Sequence, residues 1–448
     1  MSEERRRSCS FPQTFPEQTI IVPRGPVSTD GTMWTERRGA GRRRVAVVPF
    51  GCKVSRIEAQ AGASAPGAPP PVSAREADVV VLHGCAVTER AVRDQRRFLL
   101  RLRRENPGAA VIVSGCLARS GPETLARLPG VDAVDAAPPS SRGVFAVAFP
   151  DGGRTRAFLK IQDGCRRRCA FCVVPSLRGE ERSADPREVA DQIRRLGEAG
   201  VPETVLAGVH LAAFGRDRGT DLLALLSDLE RDPPACRVRL SSLEPMEAGE
   251  ALVDFVAGSR TVVPHLHLPL QSGSDAVLRR MRRGISAGRF RALSRRALRA
   301  NPRLHLATDL IAGFPGETEA EFEETRRLVS ELPFASLHVF PFSPRRGTPG
   351  AELFERGRVP PAVVTRRASA LRRLGEEKAR AFRRAADGTL ADAVVLRGGL
   401  ALTDHYLEAS LGAPLPPGIR LPVRLQAHEP GAVLTAVPAA EAGSIPPP

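Results

Sequence analysis

The densest group of reactive side chains is a loop that holds Cys165, Cys169 and Cys172 at a C-x3-C-x2-C spacing. Three thiolates on one short loop can hold three corners of a cubane iron–sulfur cluster. A structural zinc site usually needs a fourth protein ligand, which this loop does not supply. The spacing therefore predicts a cluster with one iron open to a small ligand. A zinc loop, a disulfide or chance are the alternatives.

The elements around this loop are a predicted strand at 157–161 and a predicted helix at 186–200. Phe171 stands directly before Cys172. These features resemble the signature of the radical S-adenosylmethionine (SAM) enzymes, in which the open iron binds the amino and carboxylate groups of SAM. The resemblance implies that one electron from the cluster cleaves SAM to a 5′-deoxyadenosyl radical.

Three further cysteines, Cys52, Cys85 and Cys116, each follow a glycine at the end of a predicted strand. The strands, 45–50, 78–82 and 109–113, are short apolar runs, as expected for buried parallel strands. Ligands gather at the carboxyl ends of parallel strands, and a glycine there lets the backbone approach a bulky group. The sequence therefore predicts that the three thiols converge on one site. Three buried structural cysteines are the alternative.

The stretches Phe50-Gly-Cys52-Lys-Val, His83-Gly-Cys85-Ala-Val-Thr and Ser114-Gly-Cys116 resemble the cysteine motifs of the methylthiotransferase family. In that family they hold a second 4Fe–4S cluster, whose open iron carries the sulfur that is transferred. The family usually has a helix within 58–76. Here that segment is rich in Ala, Gly and Pro, so we expect it not to remain helical.

Predicted strands and helices alternate after the C-x3-C-x2-C loop. The strands are 203–207, 237–243, 265–270, 303–312 and 336–340, and the helices are 186–199, 275–283, 317–332 and 361–385. This order predicts a partial (β/α) barrel with its site at the carboxyl ends of the strands.

Glycine and polar residues at these strand ends are the candidate SAM contacts, because small residues admit the adenine and ribose and polar ones can bind them. They are Gly208, Glu244, Gln271, Ser272 and Gly313. His265 and His267 share one face of a strand, and we expect a structural role rather than metal ligation. The segment 317–324 is predicted to be a solvated, acidic helix start, and Cys236 a core residue.

The C-terminal region predicts a small β-barrel with strands at 391–396, 401–409, 420–426 and 433–437. The stretch Leu402-Thr-Asp404-His-Tyr406-Leu resembles a segment of the TRAM domain, an RNA-binding module. A purely structural barrel is the alternative.

Composition limits the partners and the compartment. The net charge of +16, carried almost entirely by arginine, favours a polyanionic partner such as RNA, although compositional bias is an alternative. Neither a membrane-spanning run nor a signal peptide is evident. We therefore expect a cytoplasmic protein, in which the thiols stay reduced.

The predicted fold class is α/β, in five segments. Residues 1–44 are disordered, or reflect a start codon upstream of the alternative Met33. The others are an open parallel α/β domain (45–150), a radical SAM partial barrel (151–385), a TRAM-like barrel (386–440) and a tail (441–448).

Several stretches, among them Ala-Gly208-Val-His210-Leu and His338-Val-Phe-Pro-Phe, resemble the branch that acts on N6-threonylcarbamoyladenosine at position 37 of tRNA. The resemblance implies methylthio transfer to C2 of that base, two 4Fe–4S clusters and two SAM molecules. It also implies tRNA and a flavodoxin or ferredoxin as partners, and we expect a monomer. Arg178, Arg182 and Arg216 are candidates to bind the threonylcarbamoyl carboxylate.

Four alternatives remain open. Two are the branches that modify isopentenyladenosine in tRNA or an aspartate of a ribosomal protein. The third is a non-catalytic RNA-binding protein with structural zinc. The fourth is an inactive homologue, because Ala184 stands where the family has an arginine.

Overall fold

The structure, a computed structural model, describes residues 20–21, 43–63, 72–137, 145–148, 155–428 and 433–439. The chain has the predicted α/β architecture, with an N-terminal parallel sheet, a curved central region and a closed C-terminal β-barrel. The tail predicted at 441–448 lies outside the described residues. None of the helices in the described ranges combines the length and apolar composition that a bilayer crossing requires.

The N-terminal sheet has one antiparallel edge strand and four parallel strands. Its strands are β1 (Ile20–Ile21), β2 (Val45–Pro49), β3 (Val79–Gly84), β4 (Ala110–Ser114) and β5 (Ala133–Asp135), in the order β1-β5-β4-β3-β2. Its helices are α1 (Lys53–Ala63), α2 (Glu89–Glu105), α3 (Gly115–Ser120) and α4 (Pro122–Ala126). Strands β3 and β4 bury apolar side chains on both faces, which explains their nearly continuous apolar sequences. Within the extension predicted to be disordered, β1 pairs with β5.

Helix α1 was not among the predicted helices. The segment 58–76 was expected not to remain helical; α1 continues only to Ala63, residues 64–71 lie outside the described ranges, and residues 72–76 are not helical. Val54 and Ile57 of α1 are buried against Ala207 of the central region. This packing stabilises a helix of modest intrinsic propensity, since most helical stability in proteins comes from tertiary contacts.

The central region is a partial barrel, as predicted. Its strands are β6 (Ala146–Ala148), β7 (Ala157–Asp163), β8 (Arg182–Ser183), β9 (Glu203–Gly208), β10 (Arg237–Leu240), β11 (His265–His267), β12 (His305–Ala312) and β13 (Ser336–Pro341). One sheet has the order β10-β9-β7-β6, with β8 also on β7, and the other has the order β11-β12-β13. A parallel bridge between Val238 and Val262 connects β10 to the segment that enters β11.

Nine helices of the described chain belong to this region. They are α5 (Val174–Arg178), α6 (Pro186–Glu198), α7 (Leu222–Arg231), α8 (Pro245–Gly258), α9 (Asp275–Arg280), α10 (Ala287–Ala300), α11 (Glu319–Glu331), α12 (Pro349–Gly357) and α13 (Pro361–Ala385). The predicted helices did not include α5, α7, α8, α10 or α12. Glu317 was expected in a solvated helix start, but it precedes α11, is 5% exposed and accepts a hydrogen bond from Arg367 at 2.9 Å.

Side chains alternate between the two faces of the central strands. Leu240, Leu306 and Leu310 belong to the main apolar core, which also contains residues of the outer helices. Their neighbours, such as Arg239 and Asp309, therefore face the concave side. We call the concave side of β10 to β13 the lumen. On β7 and β9 the concave side is covered by α1.

The C-terminal barrel is closed in the order β14-β15-β16-β18-β17. Its strands are β14 (Leu390–Val395), β15 (Leu400–Thr403), β16 (Glu408–Leu411), β17 (Arg420–His428) and β18 (Val433–Pro438). The single strand predicted at 401–409 was wrong. The chain turns between β15 and β16, where Tyr406 has a φ of 59°. We call residues 404–406 the barrel turn.

A buried ionic network attaches this barrel to the partial barrel. Arg239 donates hydrogen bonds to Glu203 at 2.9 and 3.0 Å and to the carbonyl oxygens of Thr403 and Asp404 at 3.0 and 3.1 Å. Arg237 likewise joins Glu203 to the barrel. Burial alone would raise the pKa of Glu203, but the charges of Arg239 and Arg237 hold it below its usual range. The carboxylate therefore stays ionised.

Replacing this carboxylate tests the network. Glu203→Gln leaves the buried Arg239 guanidinium without its counter-charge and Arg237 with Asp392 alone, so we expect the free energy of unfolding to fall by about 3–5 kcal/mol. Arg295→Gln, which removes an exposed ion pair with Glu331, is the control and should cost under about 1 kcal/mol. Denaturant unfolding measures both. Equal stability of the two variants would contradict the role given to Glu203.

Candidate active site

The first cysteine set, Cys52, Cys85 and Cys116, converges as predicted at the carboxyl ends of β2, β3 and β4. A Cβ placed on Gly51 would lie 2.6 Å from Cys85 Sγ, which shows how closely these strand ends approach. Cys85 and Cys116 are buried, whereas Cys52 is exposed at the rim. Burial raises the pKa of the Cys85 thiol, and the neighbouring Cys116 adds to the shift.

The second set, Cys165, Cys169 and Cys172, occupies the loop between β7 and α5. The Cys172 N–H donates to the carbonyl of Cys169 at 3.1 Å, so the loop turns tightly on itself. Burial, together with the two neighbouring thiols, raises the pKa of Cys172 to about 12. Arg283 approaches Cys169 Sγ at 3.6 Å and offers a positive charge to a thiolate.

The two sets are neighbours, and α5 lies between them. Arg178 at the end of α5 donates from Nε to Cys116 Sγ at 3.3 Å. Leu177 of the same helix packs against Cys116 and Ala86. A helix of five residues therefore separates the second cysteine loop from the first set.

Arg178 also belongs to a buried charge network that joins the N-terminal sheet to the partial barrel. It donates to Glu58 of α1 at 2.8 Å and to Asp163 of β7 at 2.9 Å, and Lys160 donates to both carboxylates at 2.6 Å. Burial by itself would raise the pKa of Glu58, but hydrogen bonds from Arg178 and His83 hold it well below its usual range. Each carboxylate is thus kept ionised by cations.

This network corrects the role suggested for Arg178. The residue is 5% exposed and its guanidinium is engaged by Glu58, Asp163 and Cys116, so it is not available to a substrate carboxylate. Arg182 is only partly buried, and its Nη2 is enclosed without a hydrogen-bond partner. Arg216 lines an open recess beside Cys165.

That recess has a volume of about 370 Å³, within the range of small-molecule sites. Its charged lining comprises Arg166, Arg167, Glu181, His210, Arg216, Asp217 and Glu247. His210, which follows β9, lies 3.8 Å from Cys165 Sγ and 2.8 Å from Glu181. Most of these residues were not among the predicted contacts. The motif around His210 was the one sequence signal that pointed here.

Two buried lining atoms form an ion pair with each other. His210 Nε2 and Glu247 Oε2 lie 3.6 Å apart, and neither has a closer hydrogen-bond partner among the described residues. Burial would raise the pKa of Glu247, but His210 and Arg167 lower it to about 2. A zwitterionic ligand with ammonium and carboxylate groups suits such a mixed lining, so the recess fits the amino-acid end of SAM.

The five predicted cofactor contacts lie in different environments. Glu244 accepts a hydrogen bond from Arg283 at 2.7 Å, which connects it to the second cysteine set. Gln271 has a φ of 79° and pairs with Leu310. Ser272 is fully buried and bonded to Thr325 at 3.1 Å, so it supports the loop and does not reach a ligand. Gly208 and Gly313 lie against Gln162 and Val364, where a Cβ would clash.

The donor chemistry of both sets fits iron–sulfur clusters. Each set offers three soft sulfur ligands, and cations stand beside both, since Arg178 and Arg119 reach Cys116 and Arg283 reaches Cys169. Positive charge favours the thiolate form that binds metal. Cys236 is 1% exposed in the apolar core, as predicted, and is the natural control.

Two family models match this chain. The model of the radical SAM superfamily matches residues 159–329 and contains the second cysteine set. The model of uncharacterized protein family UPF0004 matches residues 44–135 and contains the first set.

Curated relatives cover most of the chain. It is 38% identical to threonylcarbamoyladenosine tRNA methylthiotransferase MtaB of Bacillus subtilis, over 62% of this chain and 68% of that protein. It is 31% identical to the MtaB protein of Thermotoga maritima, over 81% and 90%. It is also 34% identical to tRNA-2-methylthio-N(6)-dimethylallyladenosine synthase of Chromobacterium violaceum, over 79% and 87%.

The glycine before Cys52 tests the convergence of the first set. Gly51 has a φ of +98°, and a methyl group there would overlap Cys85, so Gly51→Ala should separate the strand ends. We expect about half of the bound iron to be lost, because only one of two sets is affected. Gly108→Ala meets no atom within 4 Å and should keep all of it. Iron analysis after anaerobic reconstitution measures both, and full iron in Gly51→Ala would refute the packing argument.

Proposed function

Because the chain belongs to the radical SAM methylthiotransferase family, we propose that it transfers a methylthio group to C2 of N6-threonylcarbamoyladenosine at position 37 of tRNA. The observation that supports this most is the approach of two three-cysteine sets on either side of α5. A radical SAM tRNA methylthiotransferase needs a site for SAM cleavage next to a site for the sulfur. We also propose that the segments 45–150, 151–385 and 386–440 are its domains.

In this proposal Cys165, Cys169 and Cys172 hold the 4Fe–4S cluster that binds SAM, and Cys52, Cys85 and Cys116 hold a second one. When bound, these groups and two SAM molecules supply the electron, the radical and the methylthio group. The protein supplies placement and exclusion of water. The recess around His210 and Glu247 is the proposed seat of the methionine end of SAM.

Residues between the two cysteine sets determine the position of one set relative to the other. Arg178 contacts a thiol of the first set while Asp163 and Glu58 orient its guanidinium. Arg283 contacts Cys169 and Glu244, and so fixes the opposite side of the second loop. Charged hydrogen bonds inside protein are strong and directional, so these arginines restrict the movement of either loop.

The choice of branch is the finer part of the proposal. Relatives in the two tRNA branches have similar sequence identity to this chain. The lumen favours a polar substituent, because Ser242, His267, Asp309 and His338 line its accessible part. An isopentenyl group is wholly apolar and would displace water from these groups without forming hydrogen bonds in its place, at a cost in binding energy.

We propose that the C-terminal barrel and surface arginines bind the tRNA backbone, and that a flavodoxin or ferredoxin delivers the electron. The net charge of +16 supports the first part, since cationic surfaces attract phosphate at long range. The barrel is attached through Arg237 and Arg239, so RNA held on it keeps a defined orientation to the lumen.

Replacing one cysteine set at a time should separate SAM cleavage from methylthio transfer. Alanine at Cys165, Cys169 and Cys172 should abolish formation of 5′-deoxyadenosine from SAM. Alanine at Cys52, Cys85 and Cys116 should leave that reaction and abolish methylthio transfer. Cys236→Ala is the matched control and should retain both. Chromatography of the nucleoside products measures them. Normal 5′-deoxyadenosine formation by the first variant would overturn the cluster assignment.

The substrate can be tested with two anticodon stem-loops, one carrying threonylcarbamoyladenosine and one carrying isopentenyladenosine. We expect the first to be methylthiolated at least about tenfold faster, because unpaired buried polar groups cost on the order of 1–3 kcal/mol. Mass spectrometry of the digested RNA measures the product. Modification of the isopentenyl stem-loop alone would overturn the branch and leave the reaction class standing.

A further inference from the structure

The lumen contains a cluster of polar side chains that has no role in the proposed binding of either iron–sulfur cluster. His267 Nε2 lies 2.9 Å from Asp309 Oδ1, and His338 Nδ1 lies 3.0 Å from the same oxygen. The hydroxyl of Ser242 lies 2.6 Å from His267 Nδ1. We call His267, Asp309 and His338 the histidine cluster. Its side chains are 13%, 21% and 54% exposed, so a ligand can reach it.

The position of the histidine cluster follows from strand register. Asp309 of β12 is the register partner of His338 of β13. Leu268 directly follows β11, and its N–H donates a hydrogen bond to the carbonyl of Ala307 in β12. Leu310 and Val339, their neighbours in sequence, belong to the apolar core on the opposite face. The three side chains therefore share the lumen face of three adjacent strands.

The cluster is one short segment away from the second cysteine set. Leu243 donates its N–H to the carbonyl of His267 at 2.9 Å. The next residue, Glu244, binds Arg283, which approaches Cys169. A group bound at the histidine cluster is thus close to the loop where the proposed function puts SAM cleavage.

Beneath the cluster the lumen is closed by the barrel turn. Tyr406 stacks at 4.7 Å on His265 and lies 4.7 Å from the Arg239 guanidinium. Burial lowers the pKa of His305 to about 3 and that of His265 well below its usual value, so both floor histidines are neutral. The floor is therefore buried, its histidines are neutral and Arg239 is paired with Glu203, so the histidine cluster is the accessible polar layer between the floor and the cysteine loops.

The geometry of the cluster selects one ring nitrogen for a ligand. Because His338 Nδ1 is directed at Asp309, Nε2 is the nitrogen that can face a bound group. Asp309 holds the His338 ring through Nδ1, and in the imidazolium form of that ring Nε2–H is a charged donor. A charged donor suits a carboxylate and offers nothing to an alkyl chain.

We propose that His338, held by Asp309 and His267, binds the carboxylate of the threonylcarbamoyl group and so distinguishes this substrate from isopentenyladenosine. The inference rests on the proposed function. The candidates from the sequence were Arg178, Arg182 and Arg216, of which Arg178 is enclosed by its own partners and Arg216 lines the recess beside Cys165. In this role His338 is a substrate-binding residue, while Asp309 and His267 are positioning residues.

The test measures the affinity of the reconstituted full-length enzyme for three anticodon stem-loops. One carries threonylcarbamoyladenosine, one carries its methyl ester and one carries isopentenyladenosine. The wild-type protein should bind the acid about 10- to 100-fold more tightly than the ester, the range for one hydrogen bond to a charged group. His338→Gln and His338→Phe should reduce this acid-to-ester ratio to near one. Asp254→Asn, on the outer helix α8, should retain the wild-type ratio.

The outcomes separate this inference from the proposed function. If the wild-type protein prefers the acid and both His338 variants, with full iron content, keep the preference, the inference is wrong and the proposed function stands. A wild-type protein that prefers isopentenyladenosine overturns both. Equal loss of affinity for all three stem-loops in both variants would assign His338 a structural role and overturn the inference.

Discussion

The contact between Arg178 and Cys116 is the constraint on which the rest of the site depends. One guanidinium reaches a thiol of the first cysteine set from a helix that begins two residues after the second set. Its remaining donors are held by Glu58 of the N-terminal helix α1 and by Asp163 of the central strand β7. Buried charges of this kind are tolerated only when they are fully paired, so the two sheets must meet in one orientation.

A second set of buried arginines fixes the other end of the partial barrel. Arg237 and Arg239 bind Glu203 on one side and carbonyl oxygens of the C-terminal barrel on the other. The barrel turn then packs below the lumen through Tyr406 and His265. The C-terminal barrel therefore forms the floor of the lumen, which explains why the floor histidines are desolvated while His338 is accessible.

The network around Arg178 and the network around Glu203 have different structural roles in an enzyme that must bring three bulky groups together. Arg178 and its carboxylates set the spacing of the cysteine sets, and Glu203 with its arginines sets the depth of the lumen. Neither network depends on the large apolar core, which lies between the strands and the outer helices. The site can therefore be polar and accessible while the fold is stabilised elsewhere.

Local patterns in the sequence predicted most of the strands and pointed to the six cysteines. An apolar run such as Val79–Gly84 is typical of a buried strand, and a C-x3-C-x2-C loop brings its own thiols together. The same patterns did not reveal α1, in which Val54 and Ile57 are buried against Ala207. They failed at the barrel turn, where an apparently continuous strand bends.

By itself, the sequence determined which residues could do chemistry, because spacing along a loop and position at a strand end are local properties. Only the tertiary structure decided what each charged residue does. Glu317 was expected to be solvated and Arg178 to bind a substrate carboxylate, yet both are buried by residues far away in the chain, as is Glu203. His265 and His267 looked equivalent, but one is sealed by Tyr406 and the other meets Asp309 in the lumen. Partners separated by 40 or more residues leave no periodic signal, so their pairing emerges only when the sheets pack.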